Sequence, residues 1–344
     1  MPCNKNKVIV ASAGSRKTTC IVEEALKCPN KRILLTTYTN ENVDQINSYI
    51  VKQNGCVPSN VTVLSWYSFL LQDGVRPYQN HMTARNRINT INFVAIPPRF
   101  AKKTEDAYYL TSANNIYRDR VAAFICECDN RTKGLVLKRL EKIYGCIFID
   151  EIQDLAGFDL DFLEKLFRSS VPISAVGDPR QATYTTNNAP KNKKFKKSNI
   201  AEWINEKRKA GLISVEERTD CYRSNQMICD FADALFPHLP KTKSMNNQTT
   251  GHDGVFKIKN HEVLNYFKTH KPIVLRYSRR TDTMNLPALN IGVAKGRTYE
   301  RVLIFPTDKM KNYLLTNDLS QAGDLAKLYV GITRAKHSVC FVVD

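Results

Sequence analysis

Short β-branched runs, each ending in a polar turn and followed by residues at helical spacing, limit this chain to a small set of architectures. Lys7-Val-Ile-Val-Ala11 leads into Ser-Ala-Gly-Ser, and Thr18 to Lys27 then places Ile21, Val22, Ala25 and Leu26 on one helical face. Ile33 to Thr37, Val61 to Leu64, Cys146 to Ile149 and Ile173 to Val176 read as further strands, with Val43, Ile46 and Ile50 marking a helix between the second and third. Strands apolar on both faces and separated by helices predict a parallel sheet covered on both sides. Ligands of such sheets bind beyond the carboxyl ends of the strands, where these polar turns fall. A second α/β set follows, with a helix around Asn225 to Leu235 and strands at Ile273 to Leu275, Val302 to Phe305 and Val339 to Val343. The expected division is a first domain over 1–190, carrying an insertion at about 70–144, and a second over 191–344.

Composition narrows the partners. The 344 residues carry 51 Lys plus Arg against 33 Asp plus Glu, a net charge of +18 spread along the chain, which favours a polyanion such as nucleic acid or an anionic membrane surface. The densest cluster, Lys191-Asn-Lys-Lys-Phe-Lys-Lys197, reads as an exposed loop, either a solvated linker or a phosphate-binding patch that includes Lys193, Lys194 and Lys196. No apolar run approaches the roughly 18 residues of a membrane-spanning helix. Met1 to Lys7 lacks the apolar stretch of a signal peptide, so a cytoplasmic location is expected. Ten irregularly spaced cysteines without a CxxC argue against a disulfide framework, and the Cys126/Cys128 pair has no partner cluster at zinc-ligand spacing.

Two motifs carry chemistry. Ala11-Ser-Ala-Gly-Ser-Arg-Lys-Thr18 has the spacing of a phosphate-cradling loop, with Ala13, Gly14, Ser15, Arg16 and Thr19 around the phosphates, Lys17 reaching them and Thr18 on Mg2+. The alternative is an ordinary turn between a strand and a helix. Phe148-Ile-Asp-Glu-Ile-Gln-Asp154 delivers two adjacent carboxylates to a strand end, Asp150 to hold Mg2+ and Glu151 to activate water. Together they point to hydrolysis of a nucleoside triphosphate.

Asp150-Glu-Ile-Gln-Asp154 resembles the DExQD box of the UvrD/Rep/PcrA-like superfamily-1 helicases, and six other segments follow that family in order. They are Thr37-Tyr-Thr-Asn40, Ser65-Trp-Tyr-Ser-Phe69, Val176-Gly-Asp-Pro-Arg-Gln181 with Tyr184, Cys221-Tyr-Arg-Ser224, Gly292-Val-Ala-Lys-Gly296 and Tyr329-Val-Gly-Ile-Thr-Arg-Ala335. The resemblance implies two RecA-like P-loop NTPase domains with a nucleotide cleft between them, ATP and Mg2+ as cofactors, and 3′-to-5′ movement on single-stranded DNA. It further implies that Gln181 senses the γ-phosphate, that Arg223 and Arg334 act as arginine fingers, and that Tyr222 stacks on adenine. Tyr38, Trp66, Tyr67 and Tyr184 become candidate base platforms and Asn40 a phosphate contact, although Trp66 and Phe69 could equally be core.

Several positions depart from the family pattern. Arg16 replaces a glycine whose small size lets backbone approach phosphate, so altered or reduced turnover is expected. Only ten residues precede the phosphate loop, leaving the adenine-reading glutamine motif without a counterpart and strict ATP preference open. Thr186-Asn187 stand where the family has a stacking Trp-Arg, and Thr298 where it has a ribose-contacting glutamate. Space for accessory domains is small. The expectation is an ATP-driven translocase or helicase on single-stranded DNA, with RNA open; the alternative is a nucleotide-gated binding module with weak turnover. A partner protein supplying specificity or a nuclease is also expected.

Overall fold

The computed structural model describes residues 5–344; the part of the leader reading that falls on residues 1–4 lies outside them. The chain forms two compact units. One holds the residues up to Val10 with Lys17–Pro179 and Tyr184–Glu216, and the other holds Ala11–Arg16, Arg180–Thr183 and Glu217–Asp344. The lysine-rich loop and the helix Ile200–Lys209 thus pack in the first unit, whereas the expected division falls at about 190.

The first unit is built on a six-stranded sheet in the order Val61–Ser65, Ile33–Thr37, Cys146–Ile149, Ile173–Gly177, Lys7–Ala11, Ser214–Arg218. The first five strands pair in parallel. Every residue of Ile33–Thr37 is buried, as a central strand covered on both faces requires. Helices supply that cover. Lys17–Leu26 turns Ile21, Val22 and Ala25 inward, and Asn40–Asn54 is capped by Thr39, whose hydroxyl accepts the Asn42 N–H at 3.2 Å.

The insertion is no separate body. Its helix Val121–Arg131 contributes Phe124 and Ile125 to the same core as Leu34, Phe69, Ile147 and Phe162. Buried Asp73 ties its two ends together, accepting from the Tyr144 hydroxyl at 2.8 Å and from Arg139 Nη1 at 3.2 Å. Short strands Ile91–Asn92 and Ile116–Tyr117 pair in parallel within it.

A parallel five-stranded sheet forms the second unit, ordered Gly254–Ile258, Ala335–Val342, Tyr299–Phe305, Ile273–Arg276, Ala288–Asn290. Its core gathers Ile228, Leu275, Val302, Ile304, Tyr329 and Phe341. Parallel sheets in both units match the expected α/β class with RecA-like domains. No helix among the described residues is long and apolar enough to cross a membrane.

Candidate active site

In the first unit, four expected site residues converge where strands end and a helix begins. The helix Lys17–Leu26 starts at Lys17 directly after the polar turn, so its first N–H groups and the positive end of its dipole face the strand ends. Thr18 Oγ1 donates to Asp150 Oδ2 at 2.7 Å. Asp150 follows Cys146–Ile149 and is fixed by its own N–H, which donates to Thr36 O at 2.8 Å. Burial, and then the adjacent Glu151 carboxylate, push the Asp150 carboxyl above its usual range, against the pull of the Thr18 hydroxyl and the Lys17 ammonium.

That donor set suits magnesium. A hydroxyl beside a buried carboxylate offers hard oxygen donors of the kind Mg2+ takes through one or two protein ligands plus phosphate. Among the described residues no cluster of three or more His, Cys, Asp or Glu forms a dedicated metal cage. Thr18 and Asp150 are the residues that would hold the ion.

Glu151 adopts a left-handed backbone with φ +57°, a conformation that non-glycine residues seldom hold without a structural reason. Its N–H donates to Asp150 Oδ1 at 2.9 Å, and its carboxylate accepts from Gln153 Nε2. Gln153 Oε1 accepts the Asp178 N–H at 3.0 Å, so one amide braces the acid against the next strand's turn. Gly177 makes room for this brace, since a Cβ there would lie 2.2 Å from Gln153 Oε1. Gly177→Ala is therefore expected to displace Gln153 and lower hydrolysis about tenfold, the equivalent of one hydrogen bond to a charged group. Nucleotide affinity should hold; steady-state kinetics beside a binding titration check the split.

The second unit holds the remaining nucleotide-site candidates apart from Thr19. Gly14 has φ +77° and its carbonyl accepts the Tyr222 N–H at 3.0 Å. A Cβ on Gly14 would lie 2.8 Å from both Cys221 Sγ and Arg223 Cβ, so only glycine fits. The Ala13 N–H donates to the Tyr329 hydroxyl at 3.4 Å. Ser15 Oγ is buried without a protein partner, an orphan that a phosphate oxygen would satisfy. Thr19, in the first helical turn of the other unit, is half-buried.

Arg334 is 1 % exposed and held on several sides. Its Nε donates to Val330 O at 3.1 Å, Nη1 to Arg297 O at 3.3 Å, and Nη2 to Gln181 Oε1 at 3.3 Å. The expected γ-phosphate sensor and one expected finger thus touch. Arg223 Nη1 donates to Thr333 O at 2.9 Å.

Arg16 accepts φ +60° where the family has glycine, and its guanidinium lies 4.2 Å from the centroid of the half-exposed Tyr222 ring. The ring expected to stack on adenine therefore already carries a cation on one face. Arg16→Gly is expected to uncover Tyr222 and raise ATP turnover. The left-handed strain removed, roughly 1–2 kcal/mol, is partly offset by glycine's backbone entropy cost of about 0.5–1 kcal/mol, so melting temperature should shift little. Turnover identical to wild type would count against an inhibitory Arg16.

Among the strand candidates, Tyr38, Asn40, Tyr67 and Tyr184 line one cavity of about 510 Å³ in the first unit. The Tyr38 ring lies 6.0 Å from Tyr67 and 5.8 Å from Tyr184 between centroids. Trp66 requires a correction. It is 1 % exposed and packs on Phe69 and Phe162, so it presents no free face to a base. Ser65 caps a helical turn, which puts positions 66 and 69 on one inward face and Tyr67 on another. Thr186 and Asn187 are fully buried, so no platform exists where the family has Trp-Arg. Lys193 and Lys194 are exposed and Lys196 half-buried around the buried anchor Phe195, with Lys194 paired to Glu206 at 3.2 Å; none lines the cavity.

Gln153 and Arg180, which lie inside two of the motif segments without an assigned role, act as positioning residues. Arg180 is 3 % exposed, donates to Ser12 Oγ at 3.3 Å and lies 3.8 Å from Asp233, which supports the phosphate loop from behind. In the sequence its one signal is its place beside Gln181 in the 176–181 segment.

Comparison with known proteins follows the same lines. The viral superfamily 1 RNA helicase core domain matches residues 100–343. No curated protein sequence matches the chain. Among solved structures, the helicase nonstructural protein 10 of an arterivirus aligns at TM-score 0.52 and 14 % identity, covering 98 % of this chain and 59 % of that one. The same arterivirus helicase in complex with DNA aligns at TM-score 0.51 and 15 % identity, covering 98 % of this chain and 60 % of that one. The chain thus spans about three fifths of their length, and at such identity the likeness concerns the fold. The match carries superfamily 1 without singling out its UvrD/Rep/PcrA branch, and membership implies nucleotide hydrolysis in general. With its motif series in order and a family match over more than half its length, the chain belongs to the viral superfamily 1 RNA helicase core family.

Proposed function

We propose that this protein couples hydrolysis of ATP to movement along a single nucleic-acid strand. The observation that carries the reading is the 2.7 Å contact between Thr18 and Asp150 at the strand ends, with Glu151 next in sequence. Ala13, Gly14, Ser15, Arg16 and Thr19 would surround the phosphates, and Lys17 would reach the β and γ groups. Bound Mg2+ would offset charge on those phosphates. Glu151 would orient and deprotonate the attacking water, with Gln153 holding its carboxylate. Gln181 would sense the γ-phosphate, and Arg223 and Arg334 would stabilise charge on the transferring group.

The strand is proposed to be single-stranded and to be followed 3′ to 5′. Its sugar is the open choice: the UvrD-like motif series favours DNA, and the description of the matching family favours RNA. Tyr38 and Tyr184 would meet bases, with the buried Tyr67 packed behind Tyr38 and not itself a platform, and Asn40 and the basic surface on phosphates. Hydrolysis measured with oligo-U and oligo-dT, and displacement of duplexes tailed at the 3′ or the 5′ end, test substrate and direction. Stimulation by neither strand, or displacement only from 5′ tails, would overturn the corresponding part. The seat of Arg16 on Tyr222 favours a second reading, a nucleotide-gated binding module with weak turnover that acts through a partner protein. Nucleotide-dependent strand binding without stimulated hydrolysis would select it.

A further inference from the structure

The insertion supplies a wall of the cavity that holds the tyrosines, and that wall is an aromatic ring no family motif contains. Tyr38 and Asn40 come from the end of one strand, Tyr67 from the turn after the next, Tyr184 from the loop following Gln181, and Thr90 and Phe93 from the insertion. Phe93 meets Tyr67 edge-on, with centroids 5.1 Å apart and planes at 85°. Asn92 fixes the chain there, its side-chain oxygen accepting the N–H groups of Val94 at 3.0 Å and Ala95 at 2.7 Å.

Two properties define what this space accepts. Every side chain around it is uncharged, in a protein with net charge +18, so the cavity brings no cation to a phosphate. Aromatic faces combined with hydroxyl and amide groups suit a flat, neutral, hydrogen-bonding group, and about 510 Å³ is ample for one. Stacking further requires a ring with an open face. Tyr67 is 6 % exposed and its hydroxyl donates to Thr186 O, whereas Phe93 is 53 % exposed. Past Phe93 the loop continues with Val94, Ile96 and Phe100 each about nine-tenths exposed, around Pro97-Pro98 and ahead of the cations Arg99, Lys102 and Lys103.

The geometry points to Phe93 as the platform of a socket for one unpaired nucleobase, with the insertion forming part of the strand-binding face. This rests on the proposed single-strand reading and extends it to a named base contact. The cations that follow the loop would serve the flanking phosphates, to which the socket itself offers no charged side chain.

Equilibrium binding of the full chain to fluorescein-labelled oligo-U and oligo-dT tests it, using the tighter of the two. Phe93→Ala is expected to weaken binding about 5- to 100-fold, the range of one lost base stack, with the melting temperature unchanged because the ring is exposed. Phe93→Trp should restore affinity and show quenched indole fluorescence when the strand binds. Strands made of abasic units should bind wild type and Phe93→Ala alike. Wild-type affinity in Phe93→Ala, or equal rescue by Phe93→Leu and Phe93→Trp, overturns the socket and leaves the motor reading standing. Failure of wild type to bind either strand overturns both.

Discussion

Glu151→Gln is expected to lower strand-stimulated ATP hydrolysis by about 10²- to 10⁴-fold, the contribution typical of a positioned general base. The substitution keeps the shape of the side chain and removes its capacity to take a proton. Lys17, Thr18 and Asp150 are untouched, and the left-handed turn at position 151 does not depend on the Glu151 side chain: its N–H donates to the Asp150 carboxylate Oδ1 at 2.9 Å. Nucleotide affinity should therefore persist while turnover collapses. Single-turnover rates beside a titration with a fluorescent nucleotide separate the two. A variant that still turns over within about threefold of wild type, less than 1 kcal/mol of barrier, would remove Glu151 from its assigned role.

Arg334 is the second position of large expected effect. Arginine fingers contribute about 10³- to 10⁵-fold where charge builds on a transferring phosphoryl group. Truncation to alanine would also take a donor from the Arg297 and Val330 carbonyls, the latter keeping the Thr333 hydroxyl at 3.4 Å, so a loss of activity in Arg334→Ala would mix chemistry with folding. Arg334→Lys is the cleaner variant. It keeps a cation in the buried position but loses the planar fork that meets Gln181. Turnover is expected to fall by about 10²-fold or more, with thermal stability closer to wild type than in Arg334→Ala. Recovery of activity in Arg334→Lys would mean that charge alone, and not the fork, is what the site uses.

Much of the candidate site was legible in the sequence because its residues sit at strand ends. Asp150 and Glu151 announce themselves as two acids after a fully apolar run, and the run is apolar because both faces of Cys146–Ile149 are covered. Arg16 and Glu151 are conspicuous in another way: each holds a left-handed backbone where a side chain is unusual. Arg16 was visible as a departure, but its stacking on Tyr222 depends on tertiary placement. Trp66 shows the opposite limit. An aromatic beside a strand end reads equally as platform or core, and only the helical turn begun at Ser65 decides that positions 66 and 69 face inward. Arg180 and Phe93 act through contacts distant in sequence, with Ser12 and Arg180 168 positions apart, and Gln153 braces Glu151 two residues away only because its other end meets Asp178; no local spacing reveals such bonds.

The net charge also becomes more specific. In the proposed function Lys17, Arg16, Arg223 and Arg334 serve the nucleotide, and the exposed lysines around Phe195 and the cations after Pro98 serve a strand. No charged side chain lines the aromatic cavity of the first unit.

The central claim is that nucleotide hydrolysis answers to a bound strand. The rate of ATP hydrolysis by the full chain with Mg2+, measured with and without saturating single-stranded RNA or DNA, tests it most directly. A many-fold rise with at least one of the two, abolished in Glu151→Gln, is the predicted result. Binding of ATP and of strand with no change in hydrolysis would contradict it.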